Sequence, residues 1–118
     1  MRFNLPKNTA RFYWTIHSVS KMRQYGLSES RVKRVINNPK RKEIGIAPGT
    51  IAVMQPNSLK HSYEFWAMYQ PTVDHPKGGQ QQKLRIITAW KYPGKSPIRG
   101  PIPIPPDILE ELGEINNY

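Results

Sequence analysis

Two periodicities divide the chain. Between residues 15 and 39 apolar side chains recur every three or four positions, as on a helix with one buried face. Between residues 43 and 92 they alternate, as on strands. Ahead of both, residues 1–11 are polar and predict a frayed lead. "RFYWTI" (11–16) is short, aromatic and β-branched, fitting a first strand or an extended lead-in.

The first helix is bracketed by Thr15 as a cap and Gly26 just past its end. At 100° per residue, Ile16, Val19, Met22 and Tyr25 fall on one side, and His17, Ser20, Lys21 and Gln24 on the other. The second helix starts at Ser28, with Leu27 placed to pack on Val32 as a staple. Val32, Val35 and Ile36 make its buried stripe, and Pro39 closes it. Arg31, Lys33 and Arg34 are left outside, followed by Lys40, Arg41 and Lys42.

"KEIGI" and "TIAVMQ" flank "APG", a hairpin pattern with Pro48 and Gly49 at the centre of a type II turn. In "HSYEFWAMYQ" (61–70), Tyr63, Phe65, Ala67 and Tyr69 alternate with Glu64, Trp66 and Met68. In "KLRIITAWKY" (83–92), Leu84, Ile86, Thr88 and Trp90 alternate with Arg85, Ile87, Ala89 and Lys91. Both runs are apolar on each face, as central strands are when a helix covers one side. The linker 71–82 between them has nothing to bury and is expected to be mobile.

After Tyr92 the chain changes character. Residues 92–106 hold six prolines, incompatible with helix or sheet interior, and should run extended over the surface. "PDILEELGEI" then predicts a short acidic helix with Ile108, Leu109 and Leu112 apolar. The predicted fold is α+β: two N-terminal helices on one face of a small twisted antiparallel sheet of three or four strands. The expected division is 1–92 for that domain and 93–118 for the proline-rich arm and acidic helix.

Charge sharpens the picture. All eighteen Lys and Arg precede residue 107, against four carboxylates, a formal +14; the four remaining carboxylates lie from Asp107 onward, −4. A field of that sign recruits polyanions, nucleic acid first and anionic membrane second. Two roles suit the acidic end: folding back over the basic face to compete with RNA, or capping the sheet through Ile108, Leu109 and Leu112. No cysteine is present, which fits a reducing compartment. Neither a signal-peptide core nor a span of about 20 apolar residues occurs, so a soluble cytoplasmic protein without membrane attachment is expected. His61 and His75 lack partners at ligand spacing, and no metal or cofactor is expected.

The run His17, Lys21-Met22, Gly26-Leu27-Ser28, Val32, Val35-Ile36 and Asn38-Pro39, with "LRIITAW" (84–90) later, resembles a family of small bacterial domains grouped with the RelE-like and BrnT-like toxin superfamily. The likeness spans residues 15–92 in outline. Lys21 and Tyr25 stand where that family carries arginines, and lysine lacks arginine's planar bidentate fork for phosphate. The resemblance implies a RelE-like α+β fold, endoribonuclease activity and a protein antitoxin as partner.

Metal-independent RNA cleavage needs a base for the 2′-hydroxyl, positive charge at the phosphate and an acid for the leaving oxygen. His17 is the side chain best poised for proton transfer near neutrality, and Lys21 one turn on supplies charge. Arg85 and Lys91, six apart on one strand, are expected on one face to complete a clamp. Tyr92 or Tyr63 would stack a base or donate a proton. The competing role for His17 is that of a helix-end hydrogen-bonding residue, and for Lys21 that of a solvated side chain. Trp14, Trp66 and Trp90 read as core or arm-packing residues. Arg31, Lys33, Arg34, Lys40, Arg41 and Lys42 form the expected phosphate-tracking patch. Two functions remain open: a metal-free endoribonuclease, and a non-catalytic protein binding RNA or the ribosome on the same scaffold.

Overall fold

The computed structural model describes residues 3–57, 63–73 and 82–115. Strand β1 (Phe12–Trp14) leads into helices α1 (Ile16–Tyr25) and α2 (Glu29–Asn37). Strands β2 (Arg41–Ile44), β3 (Ile51–Pro56), β4 (Tyr63–Val73) and β5 (Gln82–Pro93) follow, then helix α3 (Pro106–Ile115). The architecture is α+β, as expected, but its sheet has five strands among the described residues, in the order β1-β5-β4-β3-β2. It is mixed rather than antiparallel, because β1 pairs parallel to β5 with Phe12 opposite Leu84 and Trp14 opposite Ile86.

Local signals explain the helix boundaries. Thr15 Oγ1 accepts from Ser18 N, and Gly26 takes the left-handed conformation (φ 70°) that ends α1. Ser28 Oγ caps α2 by accepting from Arg31 N. In the β2–β3 turn Gly49 has φ 73°, and Thr50 N donates to Ala47 O at 3.2 Å, as a type II turn requires. The lead is not frayed over its described part. Trp14 N donates to Asn8 Oδ1 (2.8 Å), Trp14 Nε1 to Lys7 O (3.1 Å), and Thr9 Oγ1 accepts from Phe12 N (3.0 Å).

Both faces of the sheet are dry. On one, Val53, Phe65, Ala67, Tyr69, Leu84, Ile86 and Ala89 pack under Met22, Leu27, Val32, Val35 and Ile36 of the first two helices and their connection. On the other, Ala52, Met54, Trp66, Met68, Ile87 and Trp90 are covered by Ile108 and Leu112 of α3, with Ile102 and Ile104 of the proline segment at the margin. Trp66 and Trp90 are register partners with parallel rings 5.7 Å apart, and Trp90 Nε1 donates to Pro103 O (2.9 Å). The proline segment therefore does more than run over the surface. It forms part of the second cover, and the core continues across the 92/93 position where the arm was expected to begin. Of the three apolar residues expected to cap the sheet, Ile108 and Leu112 are buried and Leu109 faces solvent.

Two departures in β4 and β5 carry consequences for the site. Both strands extend into the supposed linker, with Pro71, Thr72 and Val73 paired to Leu84, Lys83 and Gln82. Pro71 is tolerated because β3 ends opposite Tyr69 and leaves that edge without a ladder to join. The rest of the linker, 74–81 with His75, and the segment 58–62 with His61 lie outside the described residues. Further along, Met68 pairs with Thr88 but Tyr69 with Ile86, so Ile87 is an extra residue on β5. That bulge reverses the alternation: Leu84 and Ile86 face α1 and α2, as does Ala89, whereas Ile87 and Trp90 face α3.

If α3 belongs to the same cooperative unit as the sheet, Ile108→Ala should cost about 3 kcal/mol, whereas Leu109→Ala should cost within about 0.5 kcal/mol. Urea unfolding followed by tryptophan fluorescence reads both; an unchanged midpoint for Ile108→Ala would mean an independent arm.

Candidate nucleic-acid interface

Lys21 is not the solvated side chain expected on the polar face of α1. It is 4 % exposed, with the first turns of α3 closing over its head group. Its ammonium meets Glu111 Oε1 at 2.7 Å, Asp107 Oδ2 at 2.8 Å and Gln24 Oε1 at 2.9 Å. Of its three N–H donors, Asp107 and Gln24 each accept one, and Glu111 adds a second carboxylate at ion-pair distance. Burial alone would lower the Lys21 pKa, but the hydrogen bonds and charges of Asp107 and Glu111 outweigh it and hold the group above its usual 10.5. Asp107 is held below its usual 3.8, chiefly by the hydrogen bond from Lys21. Gln24 Nε2 (3.2 Å) and Tyr25 Oη (3.4 Å) also donate to Asp107, and burial with the Asp107 charge raises Tyr25 above 10.0.

The remaining members of the expected catalytic set are distributed around the sheet. His17 is half-buried at the second position of α1, one turn before Lys21. Arg85 and Lys91 do not share a face, because the Ile87 bulge separates them. Arg85 lies opposite Tyr13, with its guanidinium 5.8 Å from that ring, on the α3 side. Lys91 is the register partner of Phe65 on the α2 side. Tyr92 packs at the margin of the α3-side core beside the prolines.

The basic run after α2 is split by strand alternation. Arg41 turns to the α3 side, its guanidinium 5.3 Å from the Trp66 ring centre. There it donates to Glu43 Oε2 (2.8 Å), Ser96 Oγ (2.9 Å) and Gly100 O (2.6 Å). Lys40 and Lys42 remain exposed. On α2, Lys33 pairs with Glu29 at 2.8 Å and lies 5.3 Å from the Phe12 ring centre, while Arg34 points to solvent. Arg31 lies over Phe65, 4.3 Å from the ring centre. Lys91 Nζ approaches the same ring at 6.0 Å and Tyr63 at 5.1 Å, and Tyr63 meets Phe65 edge-on at 5.4 Å. Gln55, the other neighbour of Phe65 in register, donates to Arg34 O (3.3 Å) and Asn38 O (2.7 Å), anchoring the end of α2 to this row.

The structure thus joins Lys91 to Arg31 across an aromatic pair and withdraws Arg41 from the patch. Phe65 gave no signal in the sequence beyond its place in an alternating strand; only the register puts it between two cations. Among the acids with described side chains, all but the exposed Glu110 are spent inside the fold. Glu29 and Glu43 pair with Lys33 and Arg41, and Asp107 and Glu111 pair with Lys21. Glu64 is buried and accepts from Trp66 Nε1 and from Ser96 N and Oγ. Among the described residues, none of Arg31, Arg34, Lys40, Lys42 and Lys91 has a carboxylate at ion-pair distance. No protein-family model, curated protein or solved structure matches the chain.

Replacing Lys21 by Met should be tolerated better than the double change Asp107→Asn, Glu111→Gln. The latter strands a buried ammonium, a loss on the order of 3 kcal/mol. The pH dependence has two limbs. The Asp107 contribution is complete above 3.8 and fades as pH falls through the lowered folded value. The Lys21 contribution is complete below 10.5 and fades as pH rises through the raised one. Thermal melts across pH should show the acid limb flattened in Asp107→Asn, and an undiminished limb would remove Asp107 from this role.

Proposed function

We propose that this chain binds RNA without cleaving it, along α2 and the neighbouring ends of β2, β3, β4 and β5. The observation that carries this reading is the partition of charge. Five of the six acids with described side chains are engaged within the fold, and the sixth is the exposed Glu110. The cations Arg31, Arg34, Lys40, Lys42 and Lys91 lack such partners and lie around one end of the α2 face. A phosphodiester backbone supplies the missing charge, with counterion release as the driving term. No base-reading element is required for that contact, since phosphate contacts position a strand without reading it.

The non-catalytic half of the proposal rests on Lys21. A buried lysine whose charge is already matched by two carboxylates and whose ammonium is bonded to Gln24 is committed within the fold rather than to a phosphate gaining charge. The resemblance of residues 15–92 to the RelE-like superfamily then extends to an RNA-facing surface and not to its cleavage chemistry. RNA free in solution and RNA exposed on a ribosome present the same backbone to this face.

Fluorescence anisotropy with a labelled RNA should show affinity falling steeply with salt. Charge reversal at Arg34 and Lys42 should weaken binding roughly tenfold or more and flatten the salt slope, while Lys21→Met should bind like the wild type. End-labelled RNA should stay intact in EDTA over the same incubation. Cleavage that vanishes in His17→Ala would reinstate the endoribonuclease reading.

A further inference from the structure

On the α3 side of the sheet the surface holds an apolar cavity of about 500 Å³, lined by Tyr92, Ile104 and all six prolines between 93 and 106. None of these eight residues is charged, and proline has no backbone N–H. The cavity therefore suits an aliphatic side chain better than a polar group. Beside it Gly100 N donates to Pro97 O (3.0 Å), closing a turn whose two central residues, Ile98 and Arg99, are both exposed. Ile98 is 86 % exposed, while Pro97 and Pro101 on either side of the turn belong to the cavity wall. The turn is fixed from within the fold, by Arg41 donating to Gly100 O (2.6 Å) and by Ser96 bound to the buried Glu64. Another part of the wall is Pro106, the first residue of α3. Positions three and four further along a helix share its side; these are Leu109, 53 % exposed, and the exposed Glu110. Gly113, one turn on, is exposed as well, and a Cβ there would meet nothing within 4 Å. Packing inside the protein therefore does not call for glycine at 113, although glycine weakens a helix relative to alanine.

Single exposed apolar side chains are ordinary, and Ile16 and Ile44 are as exposed as Ile98. Ile98 differs in that a knob and a hole of matching chemistry stand on one patch. We propose that this patch pairs with a second copy of the chain about a two-fold axis, the Ile98 of each entering the proline-lined cavity of the other. A contact of that symmetry requires one patch to carry both halves of every interaction. Ile98 and the cavity are one such pair. Arg99 and the partner's Glu110 are the second, since the residue next to Ile98 arrives at the rim that Pro106 forms. Leu109 adds apolar area that leaves water, and the bare Cα of Gly113 admits the partner's backbone. A turn already fixed loses little freedom when its tip is buried. The patch lies on the opposite side of the sheet from α2, and the proposal stands or falls independently of the RNA reading.

The test is sedimentation equilibrium of the full chain at about 0.15 M salt, where a Debye length of about 8 Å screens the repulsion between two copies of net charge +10. The average mass should rise with concentration from 13.7 kDa toward twice that value. Ile98→Asp should weaken association roughly tenfold or more, whereas Ile16→Asp, at an equally exposed site at the start of α1, should leave it unchanged. Arg99→Glu and Glu110→Arg should each weaken association, and an equimolar mixture of the two should recover it, because every contact in the mixed pair again joins opposite charges. All four variants change exposed side chains, and thermal melts check that each is folded before its mass is read. A mass that stays at 13.7 kDa throughout overturns the proposal and leaves the cavity to a partner of other composition. A dimer indifferent to Ile98→Asp, or a mixture that does not reassociate, overturns it as well.

Discussion

Trp66 and Trp90 stack in the middle of β4 and β5 on the side of the sheet away from α2, and the chain after β5 is arranged around them. A sheet this apolar on both faces requires two covers. The first two helices supply one. The other is assembled from an extended proline segment, which cannot form regular structure of its own but accepts at Pro103 O the indole N–H of Trp90, and from a single helix contributing Ile108 and Leu112. Glu64 completes the fastening. Buried beside Trp66, it receives both the backbone N–H and the hydroxyl of Ser96, which ties the start of the proline segment to the sheet. A buried acid supplied with three donors is stable where an unpaired one is not.

Covering that second face also decides the electrostatics. Once α3 lies beside α1, its carboxylates come to Lys21, and a residue that reads as a surface cation becomes the centre of a buried ion pair. Arg41 follows the same logic from the sheet edge: strand alternation turns it under the proline segment, where Glu43, Ser96 and Gly100 take its donors. Most acids with described side chains are thereby used to hold parts of the fold together, and the cations left without a carboxylate among the described residues include Arg31, Arg34, Lys40, Lys42 and Lys91, with Lys7, Arg11, Arg23, Lys95 and Arg99 elsewhere on the surface. The basic surface is a consequence of how the fold spends its carboxylates.

Much of the local structure was legible before any coordinates. Thr15, Gly26 and Ser28 mark helix ends because capping is settled by residues within one turn, and the Pro48-Gly49 turn follows from the φ that glycine alone adopts readily. The stripe of Val32, Val35 and Ile36 was readable for the same reason: one helix, one buried face. The parallel pairing of β1 was not readable, since three residues carry no periodicity and their partner lies some seventy positions away. The site was readable in composition and not in arrangement. Arg31 and Lys91 each stood out as basic residues, but their meeting over Phe65 depends on the β4–β5 register and on where α2 crosses it.

What the sequence determined by itself was therefore the kind of each element, its ends, and the sign of the field around the protein, all set by neighbours in the chain or by totals over it. Tertiary structure decided which face each side chain serves. One unpaired residue, Ile87, moves Arg85 and Lys91 to opposite sides of the sheet, because a strand's side chains alternate and a bulge shifts every later position by one. Lys21 was decided in the same way, by a helix eighty-six residues further along, packed against α1 because two tryptophans needed cover.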